Sequence, residues 1–167
     1  MTLSTNDLDE VLSRSELIYS AAQIDQTLDD MAAQLNQKLQ HAQPLVLCVM
    51  SGAVVFTGHL LTRLNCFPEV DYVHATRYGD QTSGSTLDWR AYPNTELKDR
   101  TILILDDILD EGVTLKAIIK YCHEQGAKEV VTAVLVQKKH DRCVDDLESD
   151  FVGLQVEDRY VFGFGMD

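Results

Sequence analysis

The stretch Thr101 to Leu115, TILILDDILDEGVTL, constrains the fold of this chain more than any other. Ile102 to Leu105 form an unbroken apolar run, the pattern of a strand buried on both faces, and the run stops at Asp106 and Asp107. Asp110, Glu111, Gly112 and Thr114 then lead into a segment where Leu115, Ile118, Ile119 and Cys122 recur at helical spacing. The acidic stretch is therefore expected to be a strand-to-helix turn, and in open α/β sheets that edge is where ligands bind.

The composition of the turn limits the ligand. Gly112 allows a close backbone approach, the first N–H groups of the helix point outward, and the helix dipole favours an anion, with the Thr114 hydroxyl as a further donor. A phosphate suits these groups. Carboxylates repel a phosphate, so Asp106 and Asp107 need hydroxyls, an ammonium or a bridging magnesium ion as partners. A phosphorylated sugar meets both demands.

The same strand-turn-helix logic recurs along the chain. Ser20 is placed to cap a helix whose Ile24, Leu28, Met31, Leu35 and Leu39 share one face. After Pro44, Leu45 to Met50 reads as a buried strand, followed by the turn Ser51-Gly52-Ala53 and an apolar run through Leu60, Leu61 and Leu64. A third strand begins after Pro68 and ends near Arg77 and Tyr78, Gly79 to Ser85 is small and polar, and Leu87 to Ala91 is a return strand. Gly126 closes the central helix before a strand from Val130 to Val136, and two short apolar runs follow, Phe151 to Leu154 and Tyr160 to Phe164. Strands alternating with helices predict an α/β fold: a mainly parallel twisted sheet flanked by helices, with right-handed crossovers, in a single domain over residues 1–167.

Charge and cysteine usage exclude several classes. A formal net charge of -13 opposes a nucleic-acid backbone or an anionic membrane as partner, since both are polyanions. Cys48, Cys66, Cys122 and Cys143 lack metal-ligand or redox spacing and read as structural thiols, and no long apolar span or signal peptide is visible, which fits the cytoplasm. No Walker-type Gly-Lys-Ser/Thr occurs, and Gly163-Phe164-Gly165 is too short for a dinucleotide fingerprint.

Residues 102–115 resemble the phosphoribosyl-pyrophosphate (PRPP) signature of the type I phosphoribosyltransferases, with Glu111 where many members carry Thr. Other segments resemble the 6-oxopurine members of that family, the hypoxanthine-guanine phosphoribosyltransferases. Val46 to Ala53 is similar to their first strand and pyrophosphate turn, although Ser51 stands where members often carry Lys, so Ser51 and Gly52 would act through backbone N–H groups. Arg77 and Tyr78, with the polar residues to Ser85, resemble the mobile loop that covers the reacting centre. Lys138 matches the lysine that donates to the purine 6-oxo group, and Tyr160 to Asp167 resembles the segment whose aromatic stacks on the base. The given sequence stops at Asp167, before the arginine that members place near the pyrophosphate; either it is truncated or pyrophosphate is held without that group.

The resemblance implies a purine-salvage enzyme that transfers the phosphoribosyl group of PRPP to hypoxanthine or guanine, with Mg2+ as cofactor, a small hood formed by terminal segments, and a homodimeric or homotetrameric assembly. It implies that Asp106 and Asp107 hold the ribose hydroxyls, that Asp110, Glu111, Gly112, Val113 and Thr114 cradle the 5-phosphate, and that Asp110 faces purine N7 as general base or electrostatic partner. Lys138, Tyr160 and Val161 would bind the base, and Asp106 and Asp167 the metal. PRPP affinity would be set at a turn separate from Lys138. Alternatives stay open: a transferase for xanthine or a pyrimidine, a regulator keeping the PRPP fold, or a phosphoacceptor domain, which has no use for Gly112 and Thr114.

Overall fold

The computed structural model describes residues 5–78 and 86–166. The element order is α1 (Thr5–Arg14), α2 (Ala21–Leu39), β1 (Leu45–Val49), α3 (Val54–Leu61), β2 (Glu69–Tyr78), β3 (Thr86–Ala91), β4 (Thr101–Leu109), α4 (Val113–Glu124), β5 (Glu129–Lys139), a short 3-10 turn (Val144–Asp146) and β6 (Phe151–Glu157). Helix α1 was not anticipated by any sequence signal above. Helix α2 starts where Ser20 predicts: its Oγ accepts from Gln23 N at 3.3 Å, and Gln23 Oε1 accepts from Ser20 N at 2.9 Å, a complete capping box.

The strands form one six-stranded sheet in the order β3-β2-β1-β4-β5-β6, parallel except for the antiparallel β2–β3 pair. The continuous apolar runs of β1 and β4 sit in its middle because helices cover both faces there. Alternate residues go to opposite faces: Val46, Leu103 and Leu105 pack with α2 and α3, while Leu45, Leu47, Ile102 and Ile104 pack with α4. Each of these fully buried side chains contributes roughly 1.5–3 kcal/mol of burial free energy.

Chain direction places the ligand edge. From β1 the chain crosses through α3 to β2 on one side, and from β4 through α4 to β5 on the other. Crossovers of the same hand in opposite directions put α3 and α4 on opposite faces, so the loops after β1 and β4 part and leave a crevice between them. Above it, the terminal segments pack together as a hood: the Tyr19 hydroxyl donates to Gln155 O at 2.6 Å, and Arg159 pairs with Glu16 at 3.0 Å.

One boundary differs from the sequence reading. Asp106 and Asp107 do not begin the turn; β4 runs on to Leu109, with Asp106, Ile108 and Leu109 paired to Val134, Val136 and Gln137 of β5. Carboxylates are poor strand formers, but β5 on one side supplies a ladder long enough to carry the backbone through them. The turn proper is confined to Asp110–Gly112. Residues 79–85 and Asp167 lie outside the described residues, as do the Arg77 and Tyr78 side chains, so the covering loop and the second expected metal ligand are not placed.

Candidate active site

The crevice between β1 and β4 opens into a cavity of about 350 Å3 lined by Val49, Met50, Gly52, Asp106, Asp107, Ile108, Asp110, Lys138, Tyr160, Val161 and Met166. Seven of these eleven, Gly52, Asp106, Asp107, Asp110, Lys138, Tyr160 and Val161, are candidates named from the sequence. Ser51, Glu111, Gly112, Val113 and Thr114 are not among the lining residues; the first three stand at the flanking turns and the last two open α4.

The turn after β1 is shaped by what it touches. A Cβ on Gly52 would fall on the Asp107 carboxylate, so glycine here leaves that side chain its place beside the turn. The preceding Met50–Ser51 peptide is cis. The C-terminal segment closes on the same point, because a Cβ on Gly165 would fall on the Gly52 carbonyl. It holds that place through a tight turn in which Gly163 N donates to Met166 O at 2.9 Å and Met166 N to Gly163 O at 3.0 Å, with Phe164 and Gly165 both at positive φ.

The turn after β4 is similarly built. Gly112 caps α4 in the left-handed region (φ 76°), and a Cβ there would press on Leu147 and Cys143 at 3.0 and 3.1 Å. Val144 N donates to Glu111 O at 2.9 Å, so the 143–147 segment braces this turn from outside. Val113, Thr114 and Leu115 supply the first N–H groups of α4, which have no acceptor within the helix.

The carboxylates are shifted in opposite directions. Burial first, then the Asp107 charge and a side-chain hydrogen bond with Asp107, push the Asp106 carboxyl well above the usual carboxylate range. Asp110 behaves oppositely. Burial raises it, but hydrogen bonds from Lys138 and His140 outweigh that and hold it below the usual value. Lys138 Nζ donates to Asp110 Oδ2 at 2.7 Å, and His140 Nε2 meets Oδ1 at 2.8 Å. The expected separation of Lys138 from the 106–114 turn is therefore corrected: β5 and the β4–α4 turn share one ion pair.

His140, Arg142 and Asp158 escaped the sequence reading. Arg142 forks onto Asp158 at 2.7 and 3.1 Å and comes within 4.0 Å of Asp110. The signal for His140 was its spacing: two residues past Lys138 at the end of an extended strand, it returns to the same side. Asp110, His140 and Asp158 bring one ligand atom each within 4.8 Å of one another, yet Lys138 and Arg142 already neutralise both carboxylates, which makes this an ion-pair network and a poor cation site.

The model of the phosphoribosyl transferase domain matches residues 15–167, so the chain belongs to the phosphoribosyltransferase family. Within it, the chain is 29% identical to the hypoxanthine-guanine phosphoribosyltransferase of Bacillus subtilis over 153 residues, 91% of this chain and 84% of that protein. It is 28% identical to the hypoxanthine-guanine-xanthine phosphoribosyltransferase of Tritrichomonas foetus over 162 residues, 97% of this chain and 85% of that protein. A crystal structure of a hypoxanthine phosphoribosyltransferase from Staphylococcus aureus superposes with a TM-score of 0.88 over 98% of this chain and 89% of that chain, at 23% identity, which shows a shared fold.

Proposed function

We propose that this phosphoribosyltransferase joins PRPP to a 6-oxopurine, hypoxanthine or guanine, releasing pyrophosphate and the nucleoside monophosphate. The observation that carries the reading is the convergence of Asp110, Lys138 and Tyr160 on the cavity that Asp106 and Asp107 also line. Acceptors suited to ribose hydroxyls stand beside a cation suited to an exocyclic oxygen. Tyr160 is 76% exposed, as a ring kept for stacking on a ligand should be, and Val161 follows it in the cavity wall.

The residues divide the work. The N–H groups at Glu111 to Thr114 and the α4 dipole favour the 5-phosphate. Gly52 and Ser51 offer backbone to the pyrophosphate. As N9 bonds to the anomeric carbon and pyrophosphate departs with the bonding electrons, Asp110 takes the proton from N7, a role suited to a carboxylate held ionised. Lys138 leaves Asp110 for the 6-oxo group, and Tyr160 covers the ring.

The donor set fits a divalent cation. A carboxyl whose pKa is raised by burial and then by the charge of its acidic neighbour is an arrangement that a cation would relieve. Magnesium held by Asp106, and by Asp167 from the chain end, would neutralise the leaving pyrophosphate. The assignments of one domain over 1–167, a cytoplasmic setting and a homodimer or homotetramer belong to the same proposal. The single domain is supported by the extent of the family match, and the cytoplasmic setting by four free cysteines and the absence among the described residues of a helix long and apolar enough to cross a membrane; the assembly rests on the family resemblance alone.

The test is pyrophosphate release with PRPP and Mg2+ and a panel of hypoxanthine, guanine, xanthine and uracil. Nucleotide should form with hypoxanthine or guanine and stop on chelation of Mg2+. Turnover of uracil alone would contradict the reading, and turnover of xanthine would widen it as the Tritrichomonas relative's name does.

A further inference from the structure

His140 stands outside every motif discussed above. Its side chain is 4% exposed, and Asp110 Oδ1 lies 2.8 Å from its Nε2. At the other ring nitrogen, Arg142 N donates to Nδ1 at 3.1 Å. A backbone N–H can only donate, so Nδ1 carries a lone pair and the ring proton sits on Nε2, aimed at Asp110. The tautomer is fixed by the turn that follows β5.

The two oxygens of Asp110 thus have partners of different permanence. Lys138 sits on a four-carbon stem and has a competing acceptor whenever a base oxygen enters the cavity. His140 is buried and locked from behind by Arg142 N. We propose that His140 is a positioning residue for Asp110: it holds Oδ1 so that Oδ2 stays aimed at the base ring after Lys138 moves to the exocyclic oxygen. The inference rests on the functional reading above and adds to it a residue which that reading does not need.

Among the described residues, the groups facing Asp110 are few. Lys138 and His140 come from β5 and its extension, Arg142 approaches to 4.0 Å with Asp158 drawing on its charge, the Cys143 thiol lies nearby, and Glu111 follows on the same turn. Loss of the His140 donor leaves Asp110 with Lys138 and a distant, half-exposed arginine. Its carboxylate would then take up a proton at higher pH, and would be free to rotate once Lys138 is engaged.

The experiment compares His140→Phe, which keeps an aromatic ring without the donor, with His140→Gln, which restores a donor near the Nε2 position. For His140→Phe, kcat with hypoxanthine should fall about tenfold, roughly 1.4 kcal/mol of barrier, the acid limb of kcat/KM should move to higher pH, and PRPP-induced thermal stabilisation should be retained. His140→Gln should recover most of kcat and the original acid limb. Nitrogen NMR of the unaltered protein should show His140 protonated at Nε2 and bare at Nδ1, a readout independent of whether a variant folds. An unchanged acid limb in His140→Phe, a His140→Gln variant as impaired as His140→Phe, or the opposite tautomer overturns the inference alone. An unaltered protein inert with every base overturns the functional reading, and the inference with it.

Discussion

Lys138 donates to Asp110 Oδ2 at 2.7 Å, with the ammonium 15% and the carboxylate 39% exposed. The group expected to read the base and the group expected to take its proton are each other's partner. Substituting one therefore changes the other. In a double-mutant cycle of Asp110→Asn and Lys138→Gln, the losses in kcat/KM should fall short of additivity by about 0.5–3 kcal/mol, as for residues in contact. Strictly additive losses would show that the pair does not persist in solution.

Gly52 separates the ends of β1 and β4. Gly52→Ala puts a methyl group on the Asp107 carboxylate, which must turn away from the cavity. We expect kcat/KM for PRPP to fall by at least about tenfold. The melting temperature without PRPP should change less than the stabilisation that PRPP confers. Wild-type kinetics would mean that Asp107 does not contact the sugar.

Asp106 ought to oppose stability in favour of function. Its native pKa lies above the unfolded value of about 3.9. Its contribution to folding is thus full below that value and is lost as pH rises through the native one. Asp106→Asn removes the titration, keeps a donor toward Asp107, and should raise the melting temperature more at pH 8 than at pH 5, while PRPP binding is lost. A melting gain that does not grow with pH would contradict the raised pKa of Asp106.

Asp71 carries the opposite sign. Burial raises its pKa, but N–H donors from Thr95, Tyr72 and Asn94 outweigh burial and lower it. Asn94 N and Thr95 N donate to Oδ2 at 2.7 and 2.8 Å, and Tyr72 N to Oδ1 at 2.8 Å, tying the β3–β4 connection to β2. With the native value below the unfolded one, this stabilisation is present above the usual carboxylate range and fades as pH falls through the native value. Asp71→Ala should cost about 1–3 kcal/mol at neutral pH by leaving three partly buried backbone N–H groups without their acceptor. Denaturant unfolding should show that cost shrinking in acid.

Much of this was legible in the chain because the physics was local. The runs at Leu45 and Ile102 read as strands buried on both faces, Ser20 as a helix cap, and Gly112 as part of the strand-to-helix turn that opens α4. What was hidden depended on distant partners. β4 continues through Asp106 and Asp107 only because β5 pairs with it, and the close approach of Gly165 to the Gly52 carbonyl joins two segments more than a hundred residues apart. His140 lies in a polar stretch whose role depends on a carboxylate 30 residues earlier. Helix α1 carries no Pro or Gly punctuation at its start to mark it.

Base selection by Lys138 is tested most directly by kcat/KM for hypoxanthine, guanine and adenine, in the unaltered protein and in Lys138→Gln. An ammonium facing the exocyclic position pairs with the 6-oxo group but meets a second donor in adenine, an unpaired-donor penalty of about 1–3 kcal/mol or more for a charged partner. Hypoxanthine and guanine should be used and adenine poorly used by the unaltered protein, and the substitution should weaken the two 6-oxopurines selectively. Efficient use of adenine by the unaltered protein, or hypoxanthine and guanine kinetics indifferent to Lys138→Gln, would contradict it.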